Sequence, residues 1–185
     1  MRRHTAQGAR AQDSFIRTSF LTTCIFCFAL LFTGCGIYKF NQVSIPSDIK
    51  TVRVMPIDNK ARYINTQLSP QITDKLRQKI VSQTNLTQVN NDNADYEISG
   101  FVSQYDVSTS GISSQQVATN RLTVAVTVNL IDRKTPNAEP KNFSVSRSFD
   151  FSANLTLPQA EQKLNDEMIR NLVDEIFNRI FSDWE

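Results

Sequence analysis

Cys35 is the one side chain in this 185-residue chain whose surroundings assign it a reaction. It stands in Leu31-Phe32-Thr33-Gly34-Cys35-Gly36, directly behind Phe20–Phe32, a run in which only Thr22 and Thr23 are polar. Ahead of that run Arg2, Arg3, Arg10 and Arg17 face a single acid, Asp13. A basic start, a short apolar stretch and small residues before a cleavage point make a secretory leader. A Gly-Cys pair at its end reads as a lipobox, although Phe32 occupies the place where leucine is usual. The thiol of Cys35 is then the nucleophile that takes a diacylglycerol, and Cys35 becomes the first residue of the processed chain. Thirteen residues of helix span about 20 Å against roughly 30 Å of hydrocarbon, too little for a membrane crossing. Ordinary secretion with a free Cys35 is the other reading of the same stretch.

Little else in the chain is equipped for chemistry. Cys24 and Cys27 leave with residues 1–34, so no disulfide is expected in the remainder. The only histidine, His4, leaves as well, which excludes Ser-His-Asp and Cys-His sites and any His-ligated metal. Gly36, Gly100 and Gly111 are too scattered for a phosphate-cradling loop. Asp92, Asn93 and Asp95 lack the spacing, central glycine and terminal glutamate of a calcium loop and are expected as a solvated turn. A hydrolase would have to work with carboxylates alone, and the closest pairs, Asp166-Glu167 and Asp174-Glu175, fall on or near the outer face of a helix. No enzyme, cofactor or metal is expected. The leader takes four of the 20 basic residues and one of the 18 acidic ones, leaving 16 against 17. A near-neutral domain with mixed signs lacks the footprint of a nucleic-acid binder.

The elements behind this composition follow from periodicity. Residues 35–50 read as a tether and 51–185 as one domain, large enough to fold on apolar packing. Val52 and Val54 alternate in a short first strand that Pro56 ends or places at an edge. Ser69-Pro70 opens a helix of about 14 residues, Ser69 as cap and Pro70 in the first position, with Leu68, Ile72, Leu76 and Ile80 on one stripe. Three strands follow. The first has Tyr96, Ile98, Gly100 and Val102 on one face and Phe101, Tyr105 and Val107 on the other. Leu122 to Leu130 alternates cleanly, as do Phe143, Val145, Phe149 and Phe151 with serines between, except that Arg147 interrupts the apolar face. Ser108–Asn120 and Asp132–Asn142 read as loops. A last helix from Pro158 to Trp184 carries apolar residues at every fourth position and must cover the sheet. The expectation is an α+β domain in β-α-β-β-β-α order, two helices packed on one face of a four-stranded mixed sheet. The other face, rich in Ser, Thr and Asn and short of charge, is either a solvated surface or one that meets a second polar surface such as a barrel lumen.

The lipobox, this order of elements, and the runs Ile45-Pro46-Ser47-Asp48-Ile49-Lys50-Thr51, Ala94-Asp95-Tyr96-Glu97-Ile98-Ser99-Gly100, Asn120-Arg121-Leu122-Thr123-Val124 and Ile176–Trp184 resemble the LptE family of lipopolysaccharide-assembly lipoproteins. The resemblance covers nearly all of the chain after Cys35. It implies a non-enzymatic lipoprotein anchored through Cys35 in the inner leaflet of the outer membrane, on the periplasmic side. It further implies a plug in, and assembly aid for, the LptD β-barrel, which binds lipopolysaccharide on its way to the outer leaflet. Lipid A phosphates call for basic side chains, and Arg121, Arg133, Lys134 and Lys141 are the candidates. A docking subunit of another cell-envelope complex is the alternative.

Overall fold

A computed structural model describes residues 45–113 and 116–182, all within one compact unit, Gln42–Glu185. The leader, Cys35, the first part of the tether and Trp184 lie outside the described residues. Strand β1 is Thr51–Val54, β2 Asp58–Asn59, helix α1 Leu68–Gln83, β3 Thr87–Gln88, β4 Tyr96–Ser113, β5 Gln116–Asp132, β6 Lys141–Ser152 and helix α2 Leu157–Phe181. One mixed sheet runs β3-β1-β4-β5-β6, with β2 also on β4; β1 pairs parallel with β3 and β4, and β4-β5-β6 are antiparallel. The sheet therefore has six strands, and β2 and β3 are additions to the expected β-α-β-β-β-α order. Each is only two residues long, too short to show a period of two in the sequence. β2 continues the path of β1 along β4 after a break at Pro56, whose missing N–H suits a place beyond the reach of β3.

Helix α1 forms where the stripe required it: Leu68, Ile72, Leu76 and Ile80 are fully buried. Its start differs from expectation. The N-cap is Gln67, without a side-chain cap bond of its own, and an Asx turn at Asn65, four residues ahead of Ser69, takes the first amides: Asn65 Oδ1 accepts from the Gln67 and Leu68 amides at 3.0 and 3.2 Å. Ser69 lies inside the first turn, where its hydroxyl donates to the Asp58 carbonyl at 3.3 Å and ties the helix to β2. Thr73, buried beneath, donates to the Ser69 carbonyl at 2.8 Å and accepts from the Ile57 amide at 3.0 Å.

Helix α2 starts with a capping box at Thr156, where Gln159 Oε1 accepts from the Thr156 amide at 3.0 Å, and with Pro158 in the first turn. Its ridges of Ala160, Met168, Leu172 and Ile176, and of Ile169, Val173, Phe177 and Phe181, are buried. Both helices join one cluster with Val52, Val54, Ile98, Val102, Leu122, Val124, Val126, Val128, Val145 and Phe149. They thus cover the same face of the sheet. Neither helix is long and apolar enough to cross a membrane.

The described residues of the polar stretch Ser108–Asn120, 108–113 and 116–120, are strand, not loop: β4 and β5 stay paired from Tyr96↔Asp132 to Ser113↔Gln116. Serine, threonine and glutamine carry no loop requirement once a partner strand takes their backbone groups. β6 pairs with β5 only as far as Thr119↔Ser152, so beyond that row the hairpin is a two-stranded ribbon. The register slips between Val102 and Gln104, leaving Ser103 as a bulge. One extra residue inverts the alternation, so Tyr105 is buried on the helix side with Val102 and not on the face of Phe101. Gly100 is needed for close approach: a Cβ there would sit 2.6 Å from the Thr127 carbonyl oxygen.

Candidate functional site: the open face of the sheet and its basic end

No described element covers the second face of the sheet, and the pairing registers give its composition row by row. From the end where β1 and β4 begin, the rows are Arg53-Glu97-Ile131, Ser99-Asn129-Asn142, Phe101-Thr127-Ser144, Gln104-Ala125-Ser146, Asp106-Thr123-Ser148 and Ser108-Arg121-Asp150. Across β4, β5 and β6 the three rows from Ser99 to Ser146 carry no charge; charge enters only from β2, where the exposed Asp58 pairs with Phe101 in the second of these rows. At the far end Arg121 and Asp150 form a bidentate pair at 2.7 and 3.0 Å, which holds the exposed Asp150 carboxyl below its usual range. Within the face, Thr123 and Ser148 share a hydroxyl bond of 2.9 Å. Lys60, which follows β2, lies over the Phe101 ring at 4.5 Å, shields the one large apolar group of these rows and brings a cation to the row that holds Asp58. The surface that β4, β5 and β6 present is rich in hydroxyl and amide groups, with the opposite charges of Asp58 and Lys60 at its β2 margin.

Three of the four candidate cations gather at one end. Arg133 donates from its amide to the Asp95 carbonyl at 2.8 Å and from Nη2 to Glu97 Oε2 at 2.9 Å. Lys134 Nζ lies 3.8 Å from Asp95, and Lys141 stands opposite Leu130, exposed and without an ion pair among the described residues. Arg121 is not with them; eleven residues of β5 separate it from Asp132, roughly 35 Å at 3.3 Å per residue. The sequence reading missed Arg53, which joins the same end through Asp92 and through Glu97 at 3.5 Å. Its position between Val52 and Val54, facing away from the core, was the available signal.

Asp95 organises that end. Its Oδ2 accepts from the Lys50 amide at 2.8 Å, the Thr51 amide at 2.9 Å and the Thr51 hydroxyl at 2.9 Å, and the Thr51 hydroxyl accepts in turn from the Asp95 amide. These bonds, the Lys50 amide first, hold its carboxyl below the usual range. Asp95 therefore serves as a clamp between β4 and the chain arriving from the tether. Ile49 is buried just ahead of it, so the end of the expected tether is docked on the domain.

Three further carboxylates, Asp174, Glu175 and Glu161, have structural partners. Asp174 and Glu175, expected as a solvated pair, each have a partner: Lys79 of α1 reaches Asp174 at 2.8 Å, and Arg147 of β6 binds Glu175. Arg147 thus interrupts the apolar face in order to meet α2. Glu161 accepts from Tyr105 at 2.7 Å and Asn65 at 3.1 Å; burial first, then this bond, pushes the Tyr105 hydroxyl pKa up. Among the described residues no three His, Cys, Asp or Glu side chains are arranged to hold a metal.

The LptE model, described as lipopolysaccharide-assembly, matches residues 49–180. Curated proteins give no match. Among solved structures, the rare lipoprotein B of Shewanella oneidensis is similar at 17% identity, covering 69% of this chain and 92% of that one, with a TM-score of 0.47. PelC of Paraburkholderia phytofirmans, solved as a dodecamer, is 13% identical over 76% of this chain and 94% of its own, with a TM-score of 0.48.

Proposed function

Because the chain belongs to the LptE family of lipopolysaccharide-assembly proteins, a non-enzymatic family, we propose that it is an outer-membrane lipoprotein that works by docking. In this reading Cys35 carries the lipid anchor, the domain stands on the periplasmic side, and the open sheet face seats inside an LptD-type β-barrel as a plug and assembly aid. The observation that carries it is the run of three rows from Ser99 to Ser146 in which β4, β5 and β6 place no charge, left uncovered by the two described helices, with Asp58 and Lys60 only at the β2 margin. A barrel interior is polar, and hydroxyl and amide side chains meet it without stranding a desolvated charge, which is costly when unpaired. The acyl chains, at about 0.8 kcal/mol per buried CH₂, make the anchor effectively permanent.

Lipopolysaccharide in transit would meet the end built by Arg133, Lys134 and Lys141, where cations cluster beside the tether. Arg121 would contribute only at the far end of β5, on the rim of the docking face. Depletion of the protein in its host should lower both the folded barrel and the lipopolysaccharide displayed on the surface. Intact barrel folding and intact display after depletion contradict the proposal. Co-purification with a secretin or a periplasmic ring, and not with a barrel, would assign the domain to a different envelope complex.

A further inference from the structure

The two edges of the sheet are built differently. One ends in β3, two residues long, beside a β1 broken at Pro56. The other is β6, twelve residues with twelve consecutive partners on β5, no bulge and no internal proline. Apart from the Leu155 amide, which donates to the carbonyl of its last residue, Ser152, no described backbone group pairs with its outer edge. Soluble proteins guard such edges with charge, proline or a bulge. Here the three charged residues of β6 do not serve as guards along its length. Arg147 is held by Glu175, Asp150 is held by Arg121, and Lys141 is the first residue. A cleft of about 400 Å³ runs beside this edge on the helix side, floored by Phe149 beside the Arg147–Glu175 pair and walled by Glu167, Asn171 and Asn178 of α2, with Asp174 in the wall already held by Lys79. Glu167 is exposed and has no ion pair, and the amides of Asn171 and Asn178 have no side-chain partner among the described residues.

We propose that β6 is a strand-acceptor edge, to which an extended segment of a partner protein adds as the next strand of the sheet. Backbone hydrogen bonds supply the affinity, and alternate side chains fall into the cleft and onto the open face. The cleft sets the chemistry of the segment: a lysine or arginine placed to meet Glu167, flanked two residues away by amide or hydroxyl groups for Asn171 and Asn178. A second copy of this chain fits less well, because antiparallel pairing about Ser146 sets Val145 and Phe143 of the other β6 against Arg147 and Phe149, where the cleft asks for a cation. The edge borders the open face but binds through its backbone, and this proposal stands whether or not the partner is a barrel.

The test places a photoreactive benzophenone residue singly at Ser144, Ser146 and Ser148 of the full-length lipidated protein in its own outer membrane, with adducts mapped to the residue. The expected result is a ladder: each two-residue step along β6 moves the adduct two residues along one segment of one partner. Glu167→Lys, an exposed change on α2, should cut the adducts roughly five-fold, the scale of reversing one exposed charge pair. Adducts scattered over the partner, adducts on β6 of another copy, or no adducts overturn the proposal. A ladder on a protein that is not a barrel keeps the acceptor edge and sinks the plug reading. Barrel adducts from Thr127 with none from β6 do the reverse.

Discussion

The same three strands, β4, β5 and β6, make both faces of the sheet, and alternate residues along them obey different demands. On one face Leu122, Val124, Val126, Val128, Val145 and Phe149 are buried beneath two helices. On the other, Thr123, Thr127, Ser144, Ser146 and Ser148 lie under no described element. The first face is where the free energy of folding is gained; the second can be rewritten with little thermodynamic penalty. A surface under so little folding constraint whose three long strands still place no charge across three rows, leaving Asp58 and Lys60 at the β2 margin, points to an external demand on its chemistry.

Substitutions on the two faces should separate by magnitude. Leu172→Ala, at a fully buried position on α2, should cost about 2–5 kcal/mol in urea unfolding; a loss below 1 kcal/mol would mean that α2 is not packed on the sheet. Gly100→Ala drives a Cβ against the Thr127 carbonyl and should cost about 1–3 kcal/mol, read as a lower thermal midpoint. Asp95→Ala removes the acceptor of three hydrogen bonds and should cost about 1–2 kcal/mol. The sign of its pH dependence follows from the lowered carboxyl: its contribution is complete at neutral pH and is lost as pH falls through the folded-state value, below about pH 4. The alanine variant should therefore show a shallower acid limb in a stability–pH profile than the parent. Arg147→Ala breaks a half-exposed pair with Glu175 and should cost less than about 1 kcal/mol. Ser146→Ala on the open face should move the midpoint least, within about 0.5 kcal/mol.

The sequence revealed the helices because Leu68-Ile72-Leu76-Ile80 and the double ridge of the last helix repeat at helical spacing. It revealed β5 and β6 because their alternation is clean, and with them the polarity of the second face. It did not reveal β2 and β3, whose two residues each are strands only because a neighbour is there. Ser108–Asn120 read as a loop because its composition is that of one, while pairing across the hairpin is a tertiary fact. The side taken by Tyr105 turned on a single bulge at Ser103 that no local pattern announces. Of the four candidate cations, the clustering of Arg133, Lys134 and Lys141 follows from the β5–β6 connection, whereas the isolation of Arg121 needed the length of β5. The roles of Asp174, Glu175 and Asp95 depend on partners 28 or more residues away, beyond any sequence window.

The central claim, that the open face is a docking surface and not part of the folding core, is tested most directly by loading that face with charge. Gln104→Lys with Thr127→Lys puts two cations into the uncharged rows of β4 and β5 without touching β6 or the helix side. The account predicts an unfolding midpoint close to that of the parent and a loss of more than about ten-fold in the β-barrel protein that co-purifies from outer membranes, as expected when charges are desolvated without partners. Undiminished co-purification of the barrel with this folded double variant would contradict it.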